Sequence, residues 1–166
     1  MQTGDFVVHR SGMVCRIESI ENLNLTGTER SYVVLAPVRN LMEKIYVPET
    51  KAEQQLRPAM SREEALSLLD RLKDIQPLTI RNERQREQEY KDAFDVHSYD
   101  SIVSIEKELY RRKQHRLKMG KKLPVRDEQM MSTVEKTLTE AFAVALDTKP
   151  EKVHDLIRER LAGQKK

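Results

Sequence analysis

The stretch from Gly4 to Pro48 constrains the fold most, because apolar and polar side chains alternate there between short turns. Alternation with a period of two, bounded by glycine and other turn residues, is typical of half-buried strands in a small antiparallel sheet. Four or five such strands joined by tight turns are expected to curl into a small β-barrel. The predicted strands lie near residues 6–8, 14–20, 31–38 and 43–48, and a short strand at 56–58 would close the barrel.

Beyond residue 58 the apolar spacing changes to that of helices. Ser61 is followed three residues later by Glu64, which is a capping box at a helix start. We therefore predict an α+β chain, with a β domain at 1–58 and an all-α helical bundle at 59–166. The predicted helices lie near residues 62–74, 83–95, 99–118, 125–147 and 150–162.

Charge is unevenly distributed along the chain. Residues 76–166 carry 20 Lys and Arg against 16 Asp and Glu, whereas the first 75 residues are nearly neutral, so an acidic partner such as nucleic acid would contact the second half. The tract from Arg111 to Lys122 has seven cations and no acid. It either neutralises phosphates or complements the dipole of a helix C-terminus, and the sequence leaves both interpretations open.

Residues able to carry out catalysis do not cluster in the sequence. The four histidines are scattered, the five glycines stand apart, and the carboxylates alternate with Lys and Arg as on a helix surface. We predict no catalytic residue, no metal and no cofactor, although a small enzyme with an unrecognised site stays a rival hypothesis. A single cysteine, no signal peptide and no long apolar run predict a cytoplasmic protein without membrane contact.

The predicted strand at Ile45–Val47 has the features of a sheet edge. It is short and apolar, and it ends at Pro48, which cannot donate to a β-ladder. Such an edge can accept a strand from a partner, or Glu43 and Lys44 can protect it from pairing. The same edge would also allow two copies of the chain to associate.

Several short motifs, taken in order, resemble the CarD family of bacterial transcription regulators. The same N-terminal module resembles the polymerase-interacting domain of the transcription-repair coupling factor. The helices that follow are similar in order to the CarD helical domain. The motifs are Gly4–Val8 with Gly12, Ile17–Glu21, Tyr32–Leu35, Tyr46–Pro48, Tyr90–Lys91 and Leu109–Gln114.

The resemblance implies a Tudor-like N-terminal domain that pairs an edge strand with the β subunit of RNA polymerase. It also implies a helical domain that contacts the backbone and minor groove of promoter DNA and stabilises the open complex, without chemistry of its own. Lys91 would contact a phosphate. Where the family pattern often has a wedge tryptophan, this chain has Arg86, and it contains no tryptophan.

We therefore predict a nucleoid-associated transcription regulator that bridges polymerase and promoter DNA. The alternative is a protein-interaction module that never contacts DNA. The predicted polymerase-binding residues are Lys44, Ile45, Tyr46 and Val47, and the predicted DNA-binding residues are Arg84, Arg86, Lys91, Arg111, Arg112, Lys113, Arg116, Lys118, Lys121 and Lys122.

Overall fold

A computed structural model describes residues 1–96 and 98–164, with backbone alone at residues 158 and 160–164. The chain divides into two compact units, Met1–Met60 and Ser61–Lys166. The first contains all of the described strands, and the second is helical. The α+β class predicted from the sequence is thus confirmed.

The β unit is a five-stranded antiparallel sheet in the order β4-β3-β2-β1-β5. The longest strands, β2 and β3, pair over most of their length, and a bulge lies between Ile17 and Ser19 on β2. The strands are β1 Phe6–His9, β2 Val14–Asn24, β3 Glu29–Pro37, β4 Ile45–Pro48 and β5 Leu56–Pro58.

The prediction of a closed barrel was wrong, because the sheet is open. The strand at 56–58 exists, but it pairs with β1 at the far edge and not with β4. Between β4 and β5 the chain forms a 3-10 turn, Glu49–Lys51, and a short helix α1, Ala52–Gln55. Ala52 of this helix is buried in the core, so the segment covers the sheet instead of extending a strand across the gap.

One face of the sheet forms a compact apolar core. Cys15 is fully buried within it, which agrees with its interpretation as a packing residue. In the turn between β1 and β2, Gly12 adopts a left-handed φ of 89°, which a glycine tolerates without steric cost. The core contains Val7, Cys15, Ile17, Val33, Leu35, Val47, Ala52 and Leu56.

The described residues of the helical unit form five helices of ten or more residues. In the first of them, α2, the Ser61 hydroxyl accepts a hydrogen bond from the Glu64 amide at 3.1 Å, which confirms the predicted N-cap. The helices are α2 Arg62–Arg71, α3 Arg86–Asp95, α4 Tyr99–Lys118, α5 Val125–Ala145 and α6 Pro150–Gln164. Two 3-10 turns, Leu72–Asp74 and Glu83–Gln85, follow α2 and precede α3.

Apolar faces of these helices form a second core. Tyr90 and Phe94 bury the predicted apolar end of α3, and Ile105 and Leu109 do the same for the middle of α4. Phe142 of α5 is also buried in this core, with 1% of its surface exposed. Among the described helices, none combines the length and the hydropathy of a membrane span.

Candidate functional site

Strand β4 is an edge of the sheet, paired with β3 along one side. Its side chains alternate, with Val47 in the core and Tyr46 44% exposed. In the part of the chain that the structure describes, no strand pairs with the other side of β4. Its outer backbone groups are therefore available to a strand from a partner.

Lys44, the residue before β4, does not protect this edge in the way that an outward-pointing lysine would. Its Nζ lies 4.0 Å from Oε1 of Glu18, which also pairs with Arg16 at 3.0 Å. Because Glu18 belongs to β2, the lysine side chain extends back across β3 and not outward from β4. The edge is thus less protected than the sequence alone indicates.

Two exposed apolar residues next to β4 were missed in the sequence analysis. Met42 is 89% exposed and Leu41 is 49% exposed, in the turn where the Met42 amide donates to Oδ1 of Asn40 at 3.1 Å. We call Leu41, Met42 and Tyr46 the edge patch. Two consecutive apolar residues between the predicted strands at 31–38 and 43–48 were the signal that could have identified it.

Arg86, which stands where the family pattern often has a tryptophan, makes an ion pair within the helical unit. Its Nε lies 3.2 and 3.3 Å from the two carboxylate oxygens of Asp127, and its Nη2 lies 3.0 Å from Oδ2. The Asp127 side chain is 3% exposed, and that of Arg86 is 29% exposed. Insertion of Arg86 into a DNA groove would therefore leave a buried carboxylate without its partner.

Arg112 is similarly held within the fold. Its guanidinium donates to both oxygens of Glu83 at 2.9 and 3.0 Å and to Glu108 at 3.0 Å, and Arg111 also binds Glu108. The Arg112 hydrogen bonds hold the pKa of Glu83 below its usual value, and the hydrogen bonds to Glu83 raise that of Arg112. Burial raises the pKa of Tyr90, and the nearby Arg112 charge opposes that rise. Arg112 thus connects α4 to the 3-10 turn before α3, and Arg111 pairs within α4.

Other predicted cations are more accessible. Lys91 pairs with Glu87 at 3.5 Å, an exposed contact along one helix that is easily exchanged for a phosphate. Arg84 is exposed on the turn before α3. Arg116 donates through Nε to the carbonyl of Lys122 at 2.6 Å, which fixes the chain after α4.

The least neutralised part of the basic tract is its end. In the described residues 111–122, Lys113, Lys118, Lys121 and Lys122 have no acid within ion-pair distance. We call the three exposed ones, Lys118, Lys121 and Lys122, the lysine cluster. Gly120 turns the chain between them with a φ of 71°.

We expect Asp127→Ala to destabilise the helical unit by about 2 kcal/mol, because Arg86 would lose its partner in a partly buried site. Urea unfolding followed by circular dichroism at 222 nm measures the change. The control is Asp155→Ala on α6, an exposed aspartate, which should shift stability by less than about 0.5 kcal/mol. Equal effects of the two substitutions would contradict a structural role for the Arg86–Asp127 pair.

A comparison with protein-family models matches residues 1–60 to the CarD-like/TRCF RID domain. The β unit therefore matches an RID domain. The match ends where the first compact unit ends, and β4 and the edge patch lie inside it. A search of curated proteins gave no match for the chain.

The RID domain gives the open edge a functional context. This domain is an RNA polymerase-interacting domain, which supports a transcription-related, polymerase-binding role for the chain. The lysine cluster, Arg86 and Arg112 lie outside the matched residues, so the family match carries no information on DNA contact. Among the described residues, no group of three or more His, Cys, Asp or Glu side chains could hold a metal ion.

Proposed function

We propose that this chain is a non-enzymatic transcription regulator that binds the β subunit of RNA polymerase through strand β4. The observation that carries the proposal is an unpaired edge strand within an RID domain. A strand from the partner would pair with the outer backbone of β4, which supplies affinity. Tyr46 and Met42, both exposed, would supply specificity through apolar contacts.

The helical unit is proposed to hold promoter DNA by its phosphate backbone. The lysine cluster and Lys113 supply cations without acidic partners, and Lys91 has only an exposed, exchangeable one. Phosphate contacts position a protein on DNA without reading its sequence, so the polymerase would determine the location. Since both contacts are made by one chain, each raises the effective concentration for the other.

The ion pair of Arg86 changes the DNA-binding role that the sequence predicts for this residue. Arg86, Arg111 and Arg112 are ion-paired within the fold, so the proposed DNA surface shifts toward the lysine cluster at the end of α4. Contact with promoter DNA would then stabilise the open complex by holding the DNA backbone. A cytoplasmic, nucleoid-associated location follows from this role.

The same ion pairs favour a second candidate, in which the chain is a protein-interaction module alone. Acids within the helical unit neutralise three of the predicted DNA-binding arginines. Under this alternative the lysine cluster complements the C-terminal dipole of α4 and binds no nucleic acid. The two candidates differ in whether the free chain binds duplex DNA in a salt-dependent manner.

A pull-down with purified bacterial RNA polymerase core tests the polymerase contact. The tagged full-length chain should retain the core enzyme, and residues 1–60 alone should retain it as well. The β subunit, purified separately, should compete for the same site. Failure of the full-length chain to retain core polymerase would refute the proposed function.

We expect the triple substitution of the lysine cluster by alanine to weaken duplex DNA binding at least about tenfold at low salt. Each lost phosphate contact should reduce the slope of log K against log salt by about 0.9. Fluorescence anisotropy with a labelled 30-base-pair duplex, measured from 50 to 200 mM salt, gives both quantities.

A matched triple variant provides the control for net charge. Lys136, Lys149 and Lys152 are also exposed lysines of the helical unit, and their replacement removes the same charge elsewhere. DNA binding should change by less than about twofold in this control. If both triple variants lose affinity equally, the contact is nonspecific attraction by net charge and the lysine cluster is not the DNA surface.

A further inference from the structure

The helical unit contains a groove that the proposed polymerase and DNA contacts do not use. It has a volume of about 670 Å³ and lies among α4, α5, α6 and the segment after α2. Its walls are mainly apolar, with contributions from Val103, Leu138, Phe142, Val153 and Ile157. An apolar groove of this size with a few polar groups is the usual form of a small-molecule site.

Two carboxyl groups from different helices face this groove. Glu106 belongs to α4 and Glu135 to α5, and both are partly buried. Within the side chains that the structure describes, neither has a hydrogen bond or an ion pair to a cation. Burial, with a smaller contribution from the Glu135 charge, raises the pKa of Glu106 to about 7.

The cations that line the groove do not neutralise these acids. Lys107 donates to the carbonyls of Leu72 and Ile75, the latter at 2.6 Å, so its ammonium group is held by the segment after α2. Lys73 and His154 are the other groups on the lining that can carry a positive charge. Among the described side chains, none of these three forms an ion pair within 4.0 Å with Glu106 or Glu135.

We propose that this groove binds a small molecule that has an apolar body and a single ammonium group, with the carboxylates of Glu106 and Glu135 as its ion partners. The apolar body would bury the walls formed by Leu138, Phe142 and Val153. A desolvated carboxylate gains more from a cation than an exposed one does, because the surrounding dielectric is low. A volume of about 670 Å³ fits a compact molecule, so the expected occupant is a small ligand.

The test uses 4-phenylbutylamine and the neutral 4-phenylbutanol, which share the same apolar body. Titrations of the full-length chain at pH 8 are followed by two-dimensional NMR of the backbone amides. The amine should bind with a Kd below about 1 mM and at least about fivefold more tightly than the alcohol. The shifted amides should belong to α4, α5 and α6 around the groove.

Three variants connect that preference to the groove. Glu106→Gln should reduce the amine-to-alcohol preference to less than about twofold, whereas Glu128→Gln, an exposed acid of α5 outside the groove, should keep it. Thr139→Trp fills the groove from α5 and should abolish binding of both compounds. Circular dichroism verifies that each variant is folded.

The pH dependence of binding provides a second measurement. Ammonium binding favours the ionised form of Glu106, so the amine preference should fall at least about threefold between pH 8 and pH 5.5. Histidine also changes charge in this range, so the series is repeated with His154→Gln, which should keep the decrease. The proposal is overturned if the amine does not bind, if the shifted amides lie elsewhere, or if Glu106→Gln keeps the preference. It is also overturned if the pH dependence disappears in His154→Gln.

Discussion

Tyr46→Asp should weaken binding to the polymerase β subunit at least about tenfold while the chain stays folded. Tyr46 projects from the outer strand of the RID domain and is 44% exposed, so its ring is available to a partner. Loss of an aromatic residue from the centre of an interface typically costs about 2 kcal/mol or more. A new carboxylate beside the paired strands would add a desolvation cost. Biolayer interferometry with immobilised β subunit gives the ratio of Kd values.

A second exposed tyrosine provides the matched control for this prediction. Tyr110 on α4 is 56% exposed and belongs to the other compact unit, so Tyr110→Asp introduces the same charge outside the β unit. Its affinity for the β subunit should stay within about twofold of the native chain. Equal losses in the two variants, or none in Tyr46→Asp, would exclude β4 as the polymerase-binding strand. Sedimentation of both variants tests whether the edge also pairs two copies.

The strands were predictable because their signal is local. Alternation along residues 14–20 and 31–38, with turns between, depends only on neighbours in sequence, and the same holds for the cap at Ser61. Closure of the barrel was not predictable in this way. It depended on whether residues 49–55 continued as strand, and their polar composition carries no period-two pattern.

The accessibility of the cations could not be predicted from the sequence, for a related reason. Arg86 and its partner Asp127 are 41 residues apart, and Arg112 and Glu83 are 29 residues apart. A count of charges within the tract at 111–122 cannot include acids that only the folded helices bring near. Lys118 ends α4, and Lys121 and Lys122 follow it, where no described acid lies within ion-pair distance. The tract therefore divides into a structural half and an accessible half.

Glu106→Gln should raise stability at pH 8 by about 2 kcal/mol and leave it unchanged at pH 4. The pKa of Glu106 rises from its usual 4.5 to about 7 in the folded chain, mainly through burial. The unfolded chain therefore releases this proton at lower pH than the folded chain does. The stabilisation from the protonated form is fully present below pH 4.5 and is lost as the pH rises through 7.

The expected size follows from the difference between the two states. Each unit of pKa difference corresponds to about 1.4 kcal/mol, and partial exposure of the side chain reduces the full value to about 2 kcal/mol. Glutamine has the shape of the protonated acid and no charge to lose, so its stability should not decline between pH 5 and pH 8 for this reason. Urea unfolding at pH 4, 6 and 8, followed at 222 nm, measures the difference at each pH.

Two further variants separate burial from charge repulsion at this site. Glu135→Gln removes the neighbouring like charge, the smaller of the two causes, so it should recover less than half of the gain seen in Glu106→Gln. Glu128→Gln, outside the groove, should follow the native chain at all three pH values. Parallel stability curves for Glu106→Gln and the native chain would show that the groove does not hold a desolvated acid. A stability gain for Glu106→Gln that is absent at pH 4, present at pH 6 and largest at pH 8 would establish it without any ligand present.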